Sequence, residues 1–109
     1  MALERMAPSL LALVSTTNST TGVITKGGNK FIHDFTPSGS NGGNTFIGVN
    51  AGNFTMAYSS SAVDASYNTA VGQQALTSLT TGPYNTAVGY QALFSASSPY
   101  SNTAVGAFT

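Results

Sequence analysis

Acid–base or nucleophilic chemistry in this chain would have to pass through His33, Asp34, Asp64 and Glu4, helped by its many hydroxyls. His33 is the side chain whose ordinary pKa lies near neutrality. Asp34 follows it directly, and neighbours in an extended strand point to opposite faces, so the two form no Ser-His-Asp relay with each other. No two acids have the spacing of a glycosidase pair, and no Gly-rich run ends in Lys-Ser or Lys-Thr as a phosphate loop does. One histidine and no cysteine are too few ligands for a metal ion. The inventory therefore predicts no catalytic residue, no cofactor and no metal site, with His33 a packed strand residue.

Two other residue types have chemistry of their own. Tyr67, Tyr84, Tyr90 and Tyr100 are candidate ligand-facing aromatics, because sugar rings pack on exposed aromatic faces; a packing role in turns is the competing assignment for Tyr67 and Tyr84. Thr45, Thr69, Thr86 and Thr103 would form a flat rank of the kind ice-binding solenoids use. Thr69 shares a strand face with Val71, however, so a core made from valine leaves the threonines undisplayed.

The elements that position these residues are repeats. Asn68, Asn85 and Asn102 are spaced 17 and 17 apart, in YNTAVGQQALTSLTTG from Tyr67, YNTAVGYQALFSASSP from Tyr84 and SNTAVGAFT from Ser101. A degenerate copy, NTFIGVNAGNFT, starts at Asn44, and its longer step to Asn68 reads as the same unit carrying an extra loop. Helical repeats are longer, whereas two short strands and two turns fit this spacing. The fold class expected is all-β: a parallel β-solenoid of about 17-residue coils. NTAVG supplies a strand with Thr69 and Val71 on one face and Asn68 and Ala70 on the other, ended by Gly72. Stacking would align Ile47, Val71, Val88 and Val105 with Leu76 and Leu93 as the repeat core, and Asn68, Asn85 and Asn102 as an amide ladder.

Composition agrees with an associating rather than a solitary fold. Charged residues make up 6% of the 109, and Ala65 to Thr109 contains none. Ser, Thr, Asn and Gly account for 50 residues, which leaves no large conventional core. Two large apolar side chains per coil are few against the cost of ordering the whole coil, so stability has to come from neighbours. Ala70, Ala87 and Ala104 are small enough to form a close chain-contact face. Zero net charge with three basic residues gives no footprint for nucleic acid, and no apolar run is long enough for a membrane-spanning helix.

Upstream of the repeats, GVITKGGNKFIHDF alternates around Gly27 and Gly28 and reads as a β-hairpin from about Gly22 to Phe35, with His33 between Phe31 and Phe35. The organisation expected is an amino-terminal segment and linker over 1–21, hairpin and Gly/Ser junction over 22–43, and repeats over 44–109. Within Met1 to Val14 the apolar stretch from Ser9 to Val14 is too short and poorly flanked for a secretory signal, and the segment reads equally as a short amphipathic helix or plug or as disordered. Thr16 to Gly22 reads as a polar linker with no packing signal.

NTAVGYQAL, Asn85 to Leu93, resembles the repeats of bacteriophage tail-fibre and tail-spike shafts, and its Ala-Val-Gly element is similar to the Ala-Ile-Gly repeat of YadA-like trimeric adhesin heads. The resemblance covers about Asn44 to Thr109. It implies a left-handed parallel β-roll, three chains side by side, on a virion tail or an extracellular cell surface, with a cell-surface glycan or receptor as partner. These residues include no carboxy-terminal chaperone or peptidase domain of the kind such fibres often carry, and they stop inside a repeat at Phe108 and Thr109, so the sequence is expected to be a fragment or its end to be completed by another protein. Asn18-Ser19-Thr20 and Asn53-Phe54-Thr55 fit the glycosylation pattern, which carries no meaning in a bacterial or phage product. The function expected is a non-enzymatic structural or adhesive fibre, shaft or head, forming a homotrimer. The alternative is a subunit of a self-assembling extracellular filament that stacks its coils end to end, and a minor alternative is an ice-binding solenoid.

Overall fold

The computed structural model describes residues 14–109, so the amphipathic reading of Met1 to Val14 lies almost wholly outside the described residues. Among them there is no helix; six short strands run in chain order through one sheet. β1 (Ile24–Lys26) and β2 (Asn29–His33) are antiparallel and joined through Gly27 and Gly28, at φ 58° and 80°. Two successive positive φ values are what a two-residue hairpin turn with the strands' own twist requires. β2 then pairs antiparallel with β3 (Thr45–Ile47), placing His33 opposite Phe46.

From β3 onward every pairing is parallel: β3 with β4 (Thr69–Val71), β4 with β5 (Thr86–Val88) and β5 with β6 (Thr103–Val105). Thr69 lies beside Thr86 and Thr86 beside Thr103, so each repeat period advances the chain by one rung. The stacking extends beyond the strands, since Leu76 donates to the Ala92 carbonyl at 3.0 Å and Tyr84 to that of Ser66 at 3.0 Å. The arrangement is compatible with a β-solenoid.

Side-chain alternation in these strands is opposite in sense to the expectation. Phe46, Ala70 and Ala87 are fully buried and Ala104 is 9% exposed, whereas Ile47 and Val71 are 36% and Val105 68% exposed. Val88 is half-buried. Ile47, Val71, Val88 and Val105 are therefore not the repeat core. Ala70, Ala87 and Ala104 are the inward residues of the chain itself and form no contact face for another. Leu76 is fully buried and Leu93 partly so, packed against the core with Ala75, Ala92 and Leu79. The physical reason is width. The strand faces a second wall of the same chain, made by Ala75, Leu76 and their equivalents, and the gap admits Ala and Asn rather than two ranks of β-branched side chains.

The first repeat shows the same constraint by exchange of volume. Phe46 occupies the position of Ala70, and Gly52, which donates to the Ala75 carbonyl at 2.9 Å as Leu76 does to Ala92, occupies that of Leu76. A Cβ at Gly52 would stand 2.6 Å from the Phe46 ring. Where the strand contributes a large residue, the opposite wall contributes none.

Two upstream segments also differ from expectation. The ring partners of His33 are Phe46 at 4.8 Å and Phe54 at 4.7 Å, because β2 lies against β3 and its inward side chains meet that repeat rather than their own strand neighbours. Thr16, read as part of a free linker, is 2% exposed: its backbone N–H donates to Asp34 Oδ1 and its hydroxyl accepts from the Asp34 N–H.

Candidate functional site: the outer face of the repeat sheet

The alternation that buries Asn and Ala turns Thr and Val outward. Thr45, Thr69, Thr86 and Thr103 line up strand by strand in one rank, and Ile47, Val71, Val88 and Val105 in a second. Strand spacing of about 4.8 Å separates rungs, and about 6.6 Å separates the ranks along a strand. The hydroxyls of Thr77 and Thr80, in the turns, donate to the Asn50 and Ser97 carbonyls, while those of the four face threonines bond to no described group. No ionisable side chain lies on this face in β3–β6. Chemically it is a regular lattice of methyl groups and hydroxyls.

The rungs of the face are held in register by the ladder beneath it. Asn44 Oδ1 accepts the Asn68 backbone N–H at 2.9 Å, Asn68 Oδ1 accepts that of Asn85 at 2.9 Å, and Asn85 Oδ1 accepts that of Asn102 at 3.0 Å. Asn68 and Asn85 are fully buried with every amide engaged, as buried polar groups must be.

The structure brings three of the four candidate ligand-facing tyrosines together. Tyr67 and Tyr84 stack at 5.4 Å with an 8° interplanar angle, and Tyr84 meets Tyr100 edge-on at 5.8 Å. Tyr90 stands apart and packs edge-on against Phe108 at 5.2 Å. Tyr67 and Tyr84 thus each turn one ring face on the other, and both residues remain exposed. No family model matches the chain, and no curated protein or solved structure matches it significantly.

Among the described residues the titratable groups do not converge. Asp34 Oδ1 accepts the Thr16 N–H, and Asp64 Oδ2 accepts the N–H groups of Ser59, Ser60 and Ser61 in the extra loop. Those three donors hold the Asp64 carboxyl below the usual carboxylate range. Both His33 nitrogens are hydrogen-bonded to backbone groups. Burial lowers the pKa of Lys30, whose ammonium lies 5.1 Å from the Phe54 ring centre. Among the described residues no three of His, Cys, Asp and Glu are placed to hold a metal ion, and no helix is long and apolar enough to cross a membrane. Asn53, in the second glycosylation pattern, donates its amide to the Thr77 and Leu79 carbonyls.

The outer rank was within reach of sequence reasoning. Asn68 and Ala70 share a face in NTAVG, and an amide ladder is stable only when shielded from water, so placing the ladder inside would also have placed Val71 outside.

Proposed function

We propose that the chain is a non-enzymatic structural and adhesive fibre protein, a shaft or head exposed on a virion tail or cell surface. In this reading it is a left-handed β-solenoid and three copies associate side by side. The observation that carries the reading is the uncharged Thr/Val face: four rungs of outward methyl groups, three of them in a stretch from Ala65 onward with no ionic side chain, suit burial against like faces. The seam is thereby the Thr/Val face rather than the alanines. A cell-surface glycan or receptor would meet Tyr67 and Tyr84 and the more open Tyr100 ring. Lateral association is favoured over end-to-end stacking because the hairpin already occupies the β3 edge of the repeat sheet. Light scattering tests it: three times the 11.1 kDa chain mass, reduced to one by Val71→Lys with β-type circular dichroism retained, is expected. A monomeric wild-type chain overturns it.

One observation favours a second reading. With valine outward, the threonines are displayed and their hydroxyls bond to no described group, as an ice-binding face requires. Inhibition of ice recrystallisation by the wild type, lost in Thr86→Tyr, would select this reading. Full activity in the variant removes it.

A further inference from the structure

His33 sits at the β2–β3 junction, which fastens the antiparallel hairpin to the parallel sheet. The residue is 5% exposed, and its ring lies between Phe46, from β3, and Phe54, from the segment that follows β3. Nε2 stands 2.9 Å from the Ala51 carbonyl and so carries the proton and donates it; Nδ1 accepts the Phe35 N–H at 3.2 Å. The two partners fix a single neutral tautomer. A second proton would have to enter at Nδ1, where it would confront an N–H donor in a site closed by two phenyl rings.

Among the described residues the charges around the ring are few. Lys30, three residues earlier on β2, places its ammonium over Phe54 and opposes a second positive charge; Asp34, the next residue in the chain, favours one but bonds to Thr16. β3 and residues 48–56, which pack against the ring, contribute no ionisable side chain.

We propose that His33 is an acid-released latch: protonation of its ring unfastens β2 from β3 and uncovers the β3 edge, while β4–β6 stay paired. The inference is independent of the fibre reading. The sign follows from burial, the largest influence on the ring, which holds its pKa below the ordinary 6.5. The opened form binds the proton more readily than the closed one, so the latch is fully closed above about pH 6.5 and weakens as pH falls toward the depressed native value. Below that value both forms are charged and no further weakening occurs. The β4–β6 rungs contain no histidine and keep their amide ladder throughout.

Amide hydrogen exchange on the full chain reads this directly, at about pH 7.5 and about pH 5 and corrected for intrinsic rates. Gly48 and Asn50 donate to the Phe31 and Lys30 carbonyls at 2.7 and 3.0 Å and report on the latch; Thr69 and Gly89 donate to Asn85 and Val71 at 2.8 Å each and report on the repeats. Protection at Gly48 and Asn50 is expected to fall about tenfold at the lower pH, with that at Thr69 and Gly89 changing less than about twofold. In His33→Gln, neutral at both values, the fall should disappear. Equal loss at all four amides, no loss at any, or a loss that persists in His33→Gln overturns the latch. Titration of the wild-type His33 Cε1 proton gives a second readout should the variant not fold: a midpoint below 6.5 is expected, and one at or above it overturns the proposal.

Discussion

Asn85 donates its side-chain amide to the side-chain carbonyl of Asn68 at 2.9 Å, one rung along the sheet, and both residues are fully buried. The same Asn85 amide also donates to the Pro83 and Pro99 carbonyls at 3.1 and 2.8 Å, so each rung is tied to its turn as well as to its neighbour. A buried amide this fully engaged rigidifies the stack and sets which face of the strand points inward.

Removing one amide should be costly. Asn68→Ala leaves the Asn85 backbone N–H and the Gly82 carbonyl without their partners. A loss of about 3 kcal/mol is expected, since stranded buried groups cost about 1–3 kcal/mol each. Urea unfolding followed by circular dichroism measures it; a loss under about 1 kcal/mol would show that the ladder is not a stabilising element.

The inverted faces give a pair of substitutions with opposite consequences. Ala87→Leu overfills the narrow interior and should cost roughly 1–3 kcal/mol or prevent folding. Val88→Asp, on the outer face, should change the stability of the isolated chain by less than about 1 kcal/mol while abolishing lateral association. The reverse ranking in thermal melts would put valine back in the core.

Gly72 has φ 133°, and a Cβ there would stand 2.5 Å from the Gly89 carbonyl oxygen of the next rung. Gly72→Ala must therefore separate two backbones, and a loss exceeding about 3 kcal/mol, strain and broken rungs together, is expected. Gly28→Ala is the control: its Cβ meets nothing within 4 Å, and only the φ of 80° is unfavourable, at about 1 kcal/mol. Similar losses from both would mean that rung spacing is not what excludes a side chain at Gly72.

Asp64 organises the loop that lengthens the first repeat period. Its pKa is depressed by the N–H groups of Ser60, Ser61 and Ser59, so the order it provides is present above the ordinary value of 3.8 and lost as pH falls through the depressed one. Asp64→Ala should speed proteolysis at Ser59–Ser61 at neutral pH and leave the unfolding midpoint of the repeats unchanged. A shifted midpoint would make the loop part of the cooperative unit.

Much of the architecture was legible in the chain because it is local or periodic. The regular recurrence of Asn68, Asn85 and Asn102 specifies parallel rungs, the Gly27-Gly28 pair specifies a tight hairpin turn, and Thr-Ala-Val before glycine specifies a short strand. The candidate site was legible only as two alternating faces. Hydropathy ranks valine above alanine, which assigns the faces one way; the buried amide ladder assigns them the other.

What the tertiary structure alone decided follows from distances across the fold. Strand alternation separates Thr69 and Val71 from Asn68 and Ala70, but the gap to the opposite wall determines which pair fits inside, and that gap admits Asn and Ala. The partners of His33 are Phe46 and Phe54, on the next strand and the segment beyond it, brought there by antiparallel pairing of β2 with β3. The compensation between Phe46 and Gly52 belongs to the same class. Periodicity determines which residues stack, whereas packing across the interior determines which of them face it, because volume is shared between segments that do not adjoin in sequence.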